Sequence, residues 1–577
     1  MSLFGDLYVG TSGLQSSQEA LNVVAHNITN TDTEGYVRQQ VSYNSREYNR
    51  LSLDASGVSY RQTGLGVYIA EVRQVRDRFV DASYRNEYGR EGFYDVSYAA
   101  IEEIEEVMGE LDGPIFYESM NNIWTAIEEL AKDPDNEVCQ SMLIQYAQSF
   151  TEAAGNVYAD LSRYQDNLNV EVQNTVGRIN ELGKKIYKLN EQIRAIEAGG
   201  IENANDYKDA RNQALDELAN LANISYRTDF FGNILVSLEN HDFVTMNTVN
   251  EMGILQDDEN EGFFKVYWPD SATMKGRDDK GEPIYDPDTA PVFDYSVPIS
   301  ASKNTDVGKL KALVLARGDH RGNYTDLYGK TVTEKYGTGT KQVTYTAEEN
   351  YAKVKDSVMM NTMAEFDGLV HNVVTAINQA LIDAAEAASA AAAAHGSTSN
   401  YMRDANGNPL LLFERVAVDE FDAAGNLIPE DVENSSTWFS SSNICVNADL
   451  LQYPTHLGLI KEDGSVDYET AAKFRDVFTE AKYVINPTLT NLISIQDYYS
   501  SFMAQIANSG NVYQNLRDNQ ELTVNQIEAT RQGGIGVSTD EELSNMIKYQ
   551  NAYNASSRFI NVIDECTEHI ITSLGHA

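Results

Sequence analysis

The sequence of 577 residues contains few cysteines and few prolines, and each shortage narrows what the chain can be. Its three cysteines, Cys139, Cys445 and Cys566, lie far apart and form no CxxC pair, so zinc-binding and thioredoxin-like motifs are unsupported. The eleven prolines lie between Pro114 and Pro487, which leaves both ends of the chain free to form long helices. No run approaches about 20 apolar residues, so a membrane-spanning helix is not expected.

Basic residues are scarce relative to acidic ones. The 43 Lys and Arg against 87 Asp and Glu give a formal net charge of −44, so the chain should repel nucleic acid and anionic membranes. Hydrophobic residues make up 42% of the chain, enough for packed cores, and the length predicts several domains. The first residues contain no basic segment followed by an apolar one, so a Sec-type signal peptide is not expected.

Motifs for catalysis or metal binding are also missing from the sequence. The eight histidines form no HExxH pair, and neither a GxSxG turn nor a GxxxxGK[ST] phosphate loop occurs. Residues 404–408 resemble the opening of a calcium loop, but Pro409 and Arg415 stand where that loop needs glycine and glutamate. We therefore expect a β-turn at 404–408, no catalytic residue, no metal site and no cofactor.

The N-terminal segment carries an apolar stripe with a seven-residue repeat. Leu7, Leu14, Leu21 and Ile28 form the stripe, and small residues on the same side would let a second helix approach closely. Turn-forming residues follow at 30–35 and end the predicted helix.

The C-terminal segment mirrors this pattern. Ser538 to Glu541 form a capping-box start, with a hydroxyl at the cap and a carboxylate three residues later. Apolar and aromatic residues then alternate at three- and four-residue spacing; they include Met546, Tyr553, Ile560, Ile563, Ile570 and Leu574. We expect the two terminal helices to pair with each other and with helices of neighbouring molecules.

The interior alternates between helical and β-type patterns. A third heptad run, through Val172, Ile179, Ile186 and Ile193, ends at two glycines, and a partner helix is predicted over 206–222. Further helices are predicted within 74–165, 351–394 and 488–530, and strands within 64–72, 225–300 and 408–462. The prediction is a mainly α, elongated and discontinuous multidomain protein with β-rich inserted domains and terminal helices that form a coiled coil.

Three domains follow from these patterns, each assembled from separate stretches of chain. Residues 1–60 and 535–577 form a terminal helical domain responsible for assembly. Residues 61–225, 305–395 and 465–534 form a helical rod domain. Residues 226–304 and 396–464 form the β-rich outer domain or domains.

Several stretches resemble one known family. Residues 20–36, ALNVVAHNITNTDTEGY, are similar to the N-terminal motif of bacterial flagellar rod, hook and hook-associated proteins. Residues 205–218, NDYKDARNQALDEL, and the segment from Gly536 to Ser556 resemble elements of the flagellar hook-associated protein 1 family. The terminal motifs are shared with hook and rod proteins, whereas the 205–218 element and the chain length favour the hook-associated family.

This resemblance implies a structural subunit that joins the hook to the flagellar filament and is not an enzyme. It implies secretion by the flagellar export apparatus into the extracellular flagellum, and contacts with further copies of itself, the hook protein, hook-associated protein 3 and an export chaperone at the C-terminal helix. The implied interface comprises the terminal stripes and the turn: Leu7, Leu14, Leu21, Asn27, Ile28, Asn30, Gly35, Tyr36, Met546, Tyr553, Ile560, Ile563, Ile570 and Leu574.

Two alternatives remain at this point. The chain could be another flagellar axial protein, a hook or distal rod subunit, because the terminal motifs are shared. It could also be a secreted hydrolase with coiled-coil ends, which would require a clustered catalytic set. In the favoured interpretation, the terminal helix pair buries too little surface to be stable alone and is completed by neighbouring subunits.

Overall fold

A computed structural model of the protein describes residues 3–47, 49–50, 62–109, 115–200, 202–257, 262–277, 281, 283–336, 339–394, 396–423 and 425–574. Helices dominate: α1 Leu3–Thr29, α2 Arg78–Val107, α3 Ile115–Lys132, α4 Glu137–Glu197, α5 Asn205–Leu221, α6 Lys309–Arg317, α7 Ala347–Val354, α8 Val358–Ala394, α9 Ala448–Gln452, α10 Tyr468–Thr479, α11 Ile495–Ile535 and α12 Thr539–Leu574. The mainly α fold is as predicted. None of the described helices is long and apolar enough to cross a membrane.

The strands form small antiparallel sheets between these helices. They are β1 Gln39–Ser45, β2 Asn49–Arg50, β3 Gln62–Thr63, β4 Val67–Gln74, β5 Ile224–Thr228, β6 Ile234–Leu238, β7 His241–Val244, β8 Gly253–Asp257, β9 Phe263–Tyr267, β10 Thr273–Arg277, β11 Pro283–Asp286, β12 Lys330–Tyr336, β13 Gly339–Tyr345, β14 Phe413–Arg415 and β15 Ile444–Val446. β5, β6 and β7 form a three-stranded sheet, and the other strands pair two by two, β1 with β4 among them.

Helix α4 is the longest element of the rod. Its 61 residues span about 90 Å, and the predicted heptad residues Val172, Ile179, Ile186 and Ile193 are all buried along it. The predicted partner helix is α5, one residue offset at each end. The heptad spacing therefore predicted both helices and the side of α4 that packs.

Three asparagines on α4 attach the β segments to the rod. The Asn190 amide donates to the Ile234 carbonyl (2.8 Å) and accepts from the Ile234 N–H (3.1 Å). Asn180 makes the same pair of bonds with Met252, at 2.9 Å each. Asn169 accepts from the Phe264 N–H (2.9 Å). These residues recur about every three turns and therefore lie on one side of α4. Their side-chain amides bond the backbone groups of the β segments, as the backbone of a neighbouring strand would.

A continuous hydrophobic core unites the rod helices. It draws buried side chains from α2, α3, α4, α5, α6, α8, α10 and α11. At one place aromatic rings from separate helices meet: Phe116 lies 5.6 Å from Phe150, 4.8 Å from Phe366 and 5.5 Å from Tyr499. Such large buried rings contribute several kcal/mol each, so they tie together pieces far apart in sequence.

Some predicted elements differ from the structure. Strands were expected through 408–462, but only the three-residue β14 and β15 lie there among the described residues. Tight turns account for the alternation: the Asp404 carboxylate accepts from the N–H groups of Asn406 (2.9 Å) and Asn408 (2.7 Å), and Gly407 has a φ of +88°. Residues 404–408 thus form the expected β-turn, held by the carboxylate that a calcium ion would need.

The helix boundaries also shift in two places. Ser494 caps α11 by accepting from the Asp497 N–H (3.2 Å), so this helix begins later and extends further than the predicted 488–530. The helix predicted over 351–394 is divided into α7 and α8, and the Ser357 hydroxyl between them donates to the Ala316 carbonyl (3.0 Å). The β12–β13 hairpin was not anticipated.

Candidate assembly interface at the terminal helices

The terminal helices α1 and α12 lie side by side and run in opposite directions. A Cβ atom added at Gly10 would stand 2.8 Å from Ile560 Cγ1, and one added at Gly13 would stand 2.8 Å from Ser556 Oγ. At the other end of α1, the Asn27 amide donates to Glu542 (3.1 Å). The predicted pairing of the two ends is therefore present within one molecule, and glycines let the helices approach closely.

Small residues, rather than the leucines, fill the most buried side of α1. These residues alternate at three- and four-residue spacing: Gly10, Gly13, Ser17, Ala20, Val24 and Asn27. Ala20 is fully buried and Val24 is 3% exposed. The close approach that small side chains allow explains why this side, and not the bulkier stripe, faces α12.

The predicted leucine stripe lies beside this contact. Leu7 is 36% exposed, and Leu14, Leu21 and Ile28 are half-buried. The stripe was predicted because periodicity weights large side chains, whereas the closest contact belongs to the smallest. The role of these four residues in assembly stays a prediction.

On α12 the predicted positions form the side that faces α1. Met546, Tyr553, Ile560 and Ile563 are half-buried, and Ile570 is 39% exposed. The side chain of Leu574 lies outside the described residues, as does Gly575, the predicted end of the helix. As predicted, the Ser538 hydroxyl accepts from the Glu541 N–H at the start of α12 (3.5 Å).

Asn27 joins four segments of the chain through one buried amide. Its oxygen accepts from the Tyr36 hydroxyl (2.8 Å) and the Gln39 N–H (3.0 Å), and its nitrogen donates to the Gln39 carbonyl (2.9 Å) and to Glu542. Asn27 is 1% exposed, so replacing its amide would leave buried partners unsatisfied. The predicted turn thus returns the chain to α1, and this amide fastens it there.

The other predicted turn residues complete this return. The Asn30 amide donates to the His26 carbonyl (2.9 Å) at the end of α1. Gly35 has a φ of +78°, a left-handed conformation that glycine adopts readily. Burial, together with the nearby acidic groups Asp209, Asp206 and Glu542, raises the pKa of Tyr36, so its hydroxyl stays protonated and keeps donating.

Charged residues that the sequence did not single out hold the start of α12. Arg38 bonds Glu542 through Nε (2.9 Å) and Glu541 through Nη1 (2.7 Å), and its N–H donates to the Ile535 carbonyl (2.9 Å). Glu542 is 1% exposed. The predicted pairing of the terminal helices brought the two segments near each other, but it did not identify Arg38 and Glu542 as an ion pair.

The contacts among Asn27, Tyr36, Arg38 and Glu542 are called the joint below. Asp209 on α5 links this joint to the rod. It accepts from the Val37 N–H (3.3 Å) and from the Gln74 side chain (2.7 Å). Burial raises the pKa of its carboxyl to about 7, against the opposing hydrogen bond from Val37 and the charge of Arg76. The stretch 205–218, which resembles a family element, therefore contacts the segment that follows α1 and the end of β4.

The β1–β4 hairpin supports the same helices from the side. Tyr43 lies with its ring centroid 6.2 Å from that of Tyr549, so the hairpin reaches α12. On α1, Ser12 Oγ accepts from the Val67 N–H (3.4 Å), and the Tyr8 hydroxyl accepts from Arg46 (2.8 Å).

Helix α12 also carries apolar side chains, outside the predicted positions, that the described chain leaves partly uncovered. Leu543, Ile547, Phe559, Val562 and Ile571 are each between 40% and 66% exposed. Scattered exposed hydrophobics are ordinary, but this many along one helix of a highly charged chain marks a contact surface.

Buried acid and histidine groups in the rod already serve the packing. Asp367 accepts from the Tyr324 and Ser441 N–H groups at 3.0 and 2.6 Å. His371 stacks on Tyr324 with ring centroids 3.8 Å apart, and burial lowers the pKa of its imidazole. These groups are engaged in structural hydrogen bonds and stacking.

Family models match the chain at both ends and in the rod. The flagellar hook-associated protein FlgK helical domain matches residues 101–283. The flagellar basal body rod FlgEFG protein C-terminal model matches residues 533–572, and the flagella basal body rod protein model matches residues 7–36. The two terminal matches fall on α12 and α1, the helices that pair.

Full-length relatives carry a single name. The chain is 24% identical over 582 residues to flagellar hook-associated protein 1 of Bacillus subtilis (strain 168), covering 100% of this chain and 99% of that protein. It is 21% identical to flagellar hook-associated protein 1 of Escherichia coli (strain K12), covering 97% and 98%. The chain is thus similar over its whole length to flagellar hook-associated protein 1. It is a structural protein of the extracellular bacterial flagellum.

A solved structure shows the same fold. The flagellar hook junction protein FlgK from Burkholderia pseudomallei is similar with a TM-score of 0.50 at 10% identity, covering 78% of this chain and 99% of that chain. The elongated multidomain architecture of this chain agrees with that likeness.

Proposed function

We propose that this protein assembles at the distal end of the hook and joins the hook to the filament. The supporting observation is the incomplete burial of the α1–α12 pair: its leucine stripe is partly exposed, and five further apolar side chains of α12 are at least 40% exposed. Covering the exposed half of each such side chain contributes about 1 kcal/mol, so neighbouring copies gain stability cooperatively. The predicted interface residues keep the assembly role assigned to them, and the three-domain division belongs to the same proposal.

Self-assembly has to overcome a general repulsion between copies. A net charge of −44 keeps separate molecules apart, and salt screens this repulsion with a Debye length of about 8 Å at physiological ionic strength. Local apolar contacts between terminal helices act below that distance. Copies should therefore stay soluble until a template, the hook tip, aligns their ends.

Partners and route follow from this role. The hook protein lies below the subunit, and hook-associated protein 3 lies above it. The subunit leaves the cell through the flagellar export apparatus, and an export chaperone covers α12 beforehand. The exposed apolar residues of α12, which include Ile547 and Ile571, support a covering partner.

Deletion of either terminal helix tests the assembly role. Removing residues 1–35 or 540–577 should leave the rod folded, because its core draws on other helices, yet abolish incorporation at the hook tip. Leu21→Asp should act in the same direction, since it places a charge beside the helix contact. Restored filament attachment by a truncated chain in a deletion strain would contradict the proposal.

A hook or distal rod subunit is the second candidate, because both terminal family matches carry basal body rod names. The FlgK helical-domain match over 101–283 favours the junction. Labelling the protein on isolated flagella for electron microscopy separates the two: the label should lie between hook and filament. A label along the hook or within the rod of the flagellar basal body would select the other candidate.

A further inference from the structure

Two adjacent phenylalanines stand exposed at the tip of the β5–β6 hairpin. Phe230 is 96% exposed and Phe231 is 57% exposed. Their rings form an edge-to-face pair with centroids 5.5 Å apart. In a chain with a net charge of −44, a paired aromatic tip costs solubility, so it calls for a function.

The hairpin holds these rings in a fixed position. The Asp229 carboxylate accepts from the Phe231 N–H and the Asn233 N–H, both at 2.8 Å, and from the Asn233 side chain at 2.7 Å. Gly232 has a φ of +81°, and its carbonyl accepts from the buried Arg211 of α5 (3.0 Å). A preorganised aromatic pair loses little conformational freedom when it binds, which is the usual property of an interface anchor.

The turn itself does not require phenylalanine. Residues 404–408 form the same carboxylate-clamped turn with Ala405 and Asn406 at the tip. A third turn of this kind lies at Asp422, whose carboxylate accepts from the N–H and the side chain of Asn426 at 2.9 and 3.1 Å. The sequence at 230–231 therefore serves something other than the local fold.

A cavity lies at the same level of the molecule on the other flank of α5. Arg211 points to the α4 flank, where it donates to Asn190 (2.8 Å), whereas Asp216 points to the α2 flank, where it bonds Arg85 (2.6 Å). The cavity opens on that second flank with a volume of about 370 Å³, the size of an anchor pocket. Its lining includes Val37, Tyr84, Tyr88, Gln213, Arg531 and Ile535.

The lining suits an aromatic guest. Tyr84 and Tyr88 are half-buried with their rings 5.3 Å apart, and the Arg531 guanidinium lies 4.0 Å over the Tyr84 ring. Aromatic edges and a stacked guanidinium both attract a further ring. Arg531 bonds Asp216 (2.8 Å) and Glu528 (2.7 Å), and the carboxylates of Glu34 and Glu217 lie at the same cavity, so an aromatic guest would contact the tyrosine side of the lining.

We propose that Phe230 and Phe231 of one copy insert into the cavity beside Tyr84, Tyr88 and Arg531 of the next copy in the assembled ring. This inference rests on the proposed function, which sets neighbouring copies side by side at one height. The contact is heterologous, because tip and cavity lie on different flanks of α5, and such contacts build rings or helical stacks rather than closed dimers. The proposed contact lies next to the joint that holds the terminal helices.

Disulfide trapping in assembled flagella tests this contact. The full chain carries Cys566→Ser, to remove the exposed thiol, together with Phe231→Cys and Gln213→Cys, and is produced in a deletion strain. Oxidation of isolated flagella should yield a ladder of covalent multimers, whereas variants that carry only Phe231→Cys or only Gln213→Cys, with Cys139 and Cys445 retained in all, should remain monomeric. The double variant with Val138→Cys in place of Gln213→Cys is the mismatched control, because Val138 lies 73% exposed at the far end of α4.

Alanine substitution gives a second, independent readout. Phe230→Ala with Phe231→Ala should lower incorporation at the hook tip at least tenfold, with the melting temperature of the monomer unchanged. Val138→Ala should incorporate like the unaltered chain. Normal incorporation of the double-alanine variant, or assembled flagella without a ladder, would overturn the proposed contact and leave the junction role standing. Absence of the unaltered chain from the junction would overturn the proposed function itself.

Discussion

The rod and the terminal helix pair use the same heptad spacing with different results. In α4 the residues at that spacing are covered by α5, α6 and the β sheets, and Ile179 and Ile186 are fully buried. In α12 the equivalent residues contact α1 along one side only, and Ile560 and Ile563 stay half-exposed. Heptad spacing thus determines which residues face a partner, while the number of partners determines whether the contact is complete. The heptad residues of α4 are fully buried within one molecule, whereas those of α12 stay partly exposed.

Replacing a buried aromatic residue of the rod domain by alanine should give the largest loss in the free energy of unfolding. Phe366→Ala removes a fully buried ring that contacts Phe116 and should lower the free energy of unfolding by about 3–5 kcal/mol. Urea unfolding followed by circular dichroism measures this loss. Phe559→Ala on α12, where the ring is 42% exposed, is the matched control and should change it by less than about 1 kcal/mol. Equal losses would erase the difference between the two regions.

The buried Glu365 carboxyl should make the free energy of unfolding of the rod domain depend on pH. This carboxyl is 1% exposed and accepts from Asn486 (2.9 Å) and Gln505 (3.0 Å), and burial raises its pKa from 4.5 to about 7. A raised pKa in the folded state stabilises below pH 4.5, and that contribution is lost as pH rises to 7, by about 3 kcal/mol in total.

Glu365→Gln removes this titration. Its free energy of unfolding relative to the unaltered chain should rise between pH 5 and pH 8, as measured by urea unfolding at both values. A constant difference between Glu365→Gln and the unaltered chain across this range would show that the group does not titrate there.

Two glycine substitutions should give the smallest and most local effects. Gly177→Ala on α4 meets open space and should stabilise the rod by about 0.5–1 kcal/mol through helix propensity. Gly10→Ala gains the same propensity but places a methyl group 2.8 Å from Ile560, so α1 and α12 must move apart. Hydrogen exchange followed by mass spectrometry should show faster exchange in α1 for Gly10→Ala alone. Slower exchange in α1 would mean that the contact has room for the methyl group.

The long helices were predictable because their signals are periodic and local. The α4 heptad, the 206–222 partner helix and the spacing along α12 all follow from one repeat. The leucine stripe was a less complete guide, because the closest contact with α12 is made by small residues such as Gly10, which the sequence did indicate as a point of close approach, and Gly13. The absence of prolines at both ends correctly favoured long terminal helices.

The joint was less predictable, since it depends on contacts between distant segments. Asn27 and Tyr36 were included for their resemblance to a family motif, whereas Glu542, which bonds Asn27, and Asp209, which accepts from Val37, lie 515 and 172 residues away. Likewise, the alternation through 408–462 has the period of strands, yet Asp404 and Asp422 clamp the chain into turns. Side-chain hydrogen bonds to the backbone produced both differences, and hydrophobic patterning does not detect them.

The bond between Asn27 and Glu542 spans 515 residues of sequence. Closing a loop of that length carries an entropic cost that a partly exposed helix pair cannot offset by itself. The folded rod shortens the search, because Asp209 already holds the strand that follows α1, and Ile535, at the end of the last rod helix, accepts from Arg38. We therefore expect the helical rod domain to form first and the two ends to meet afterwards. Under the proposed function, a chain becomes competent to assemble when its middle, rather than its ends, has finished folding.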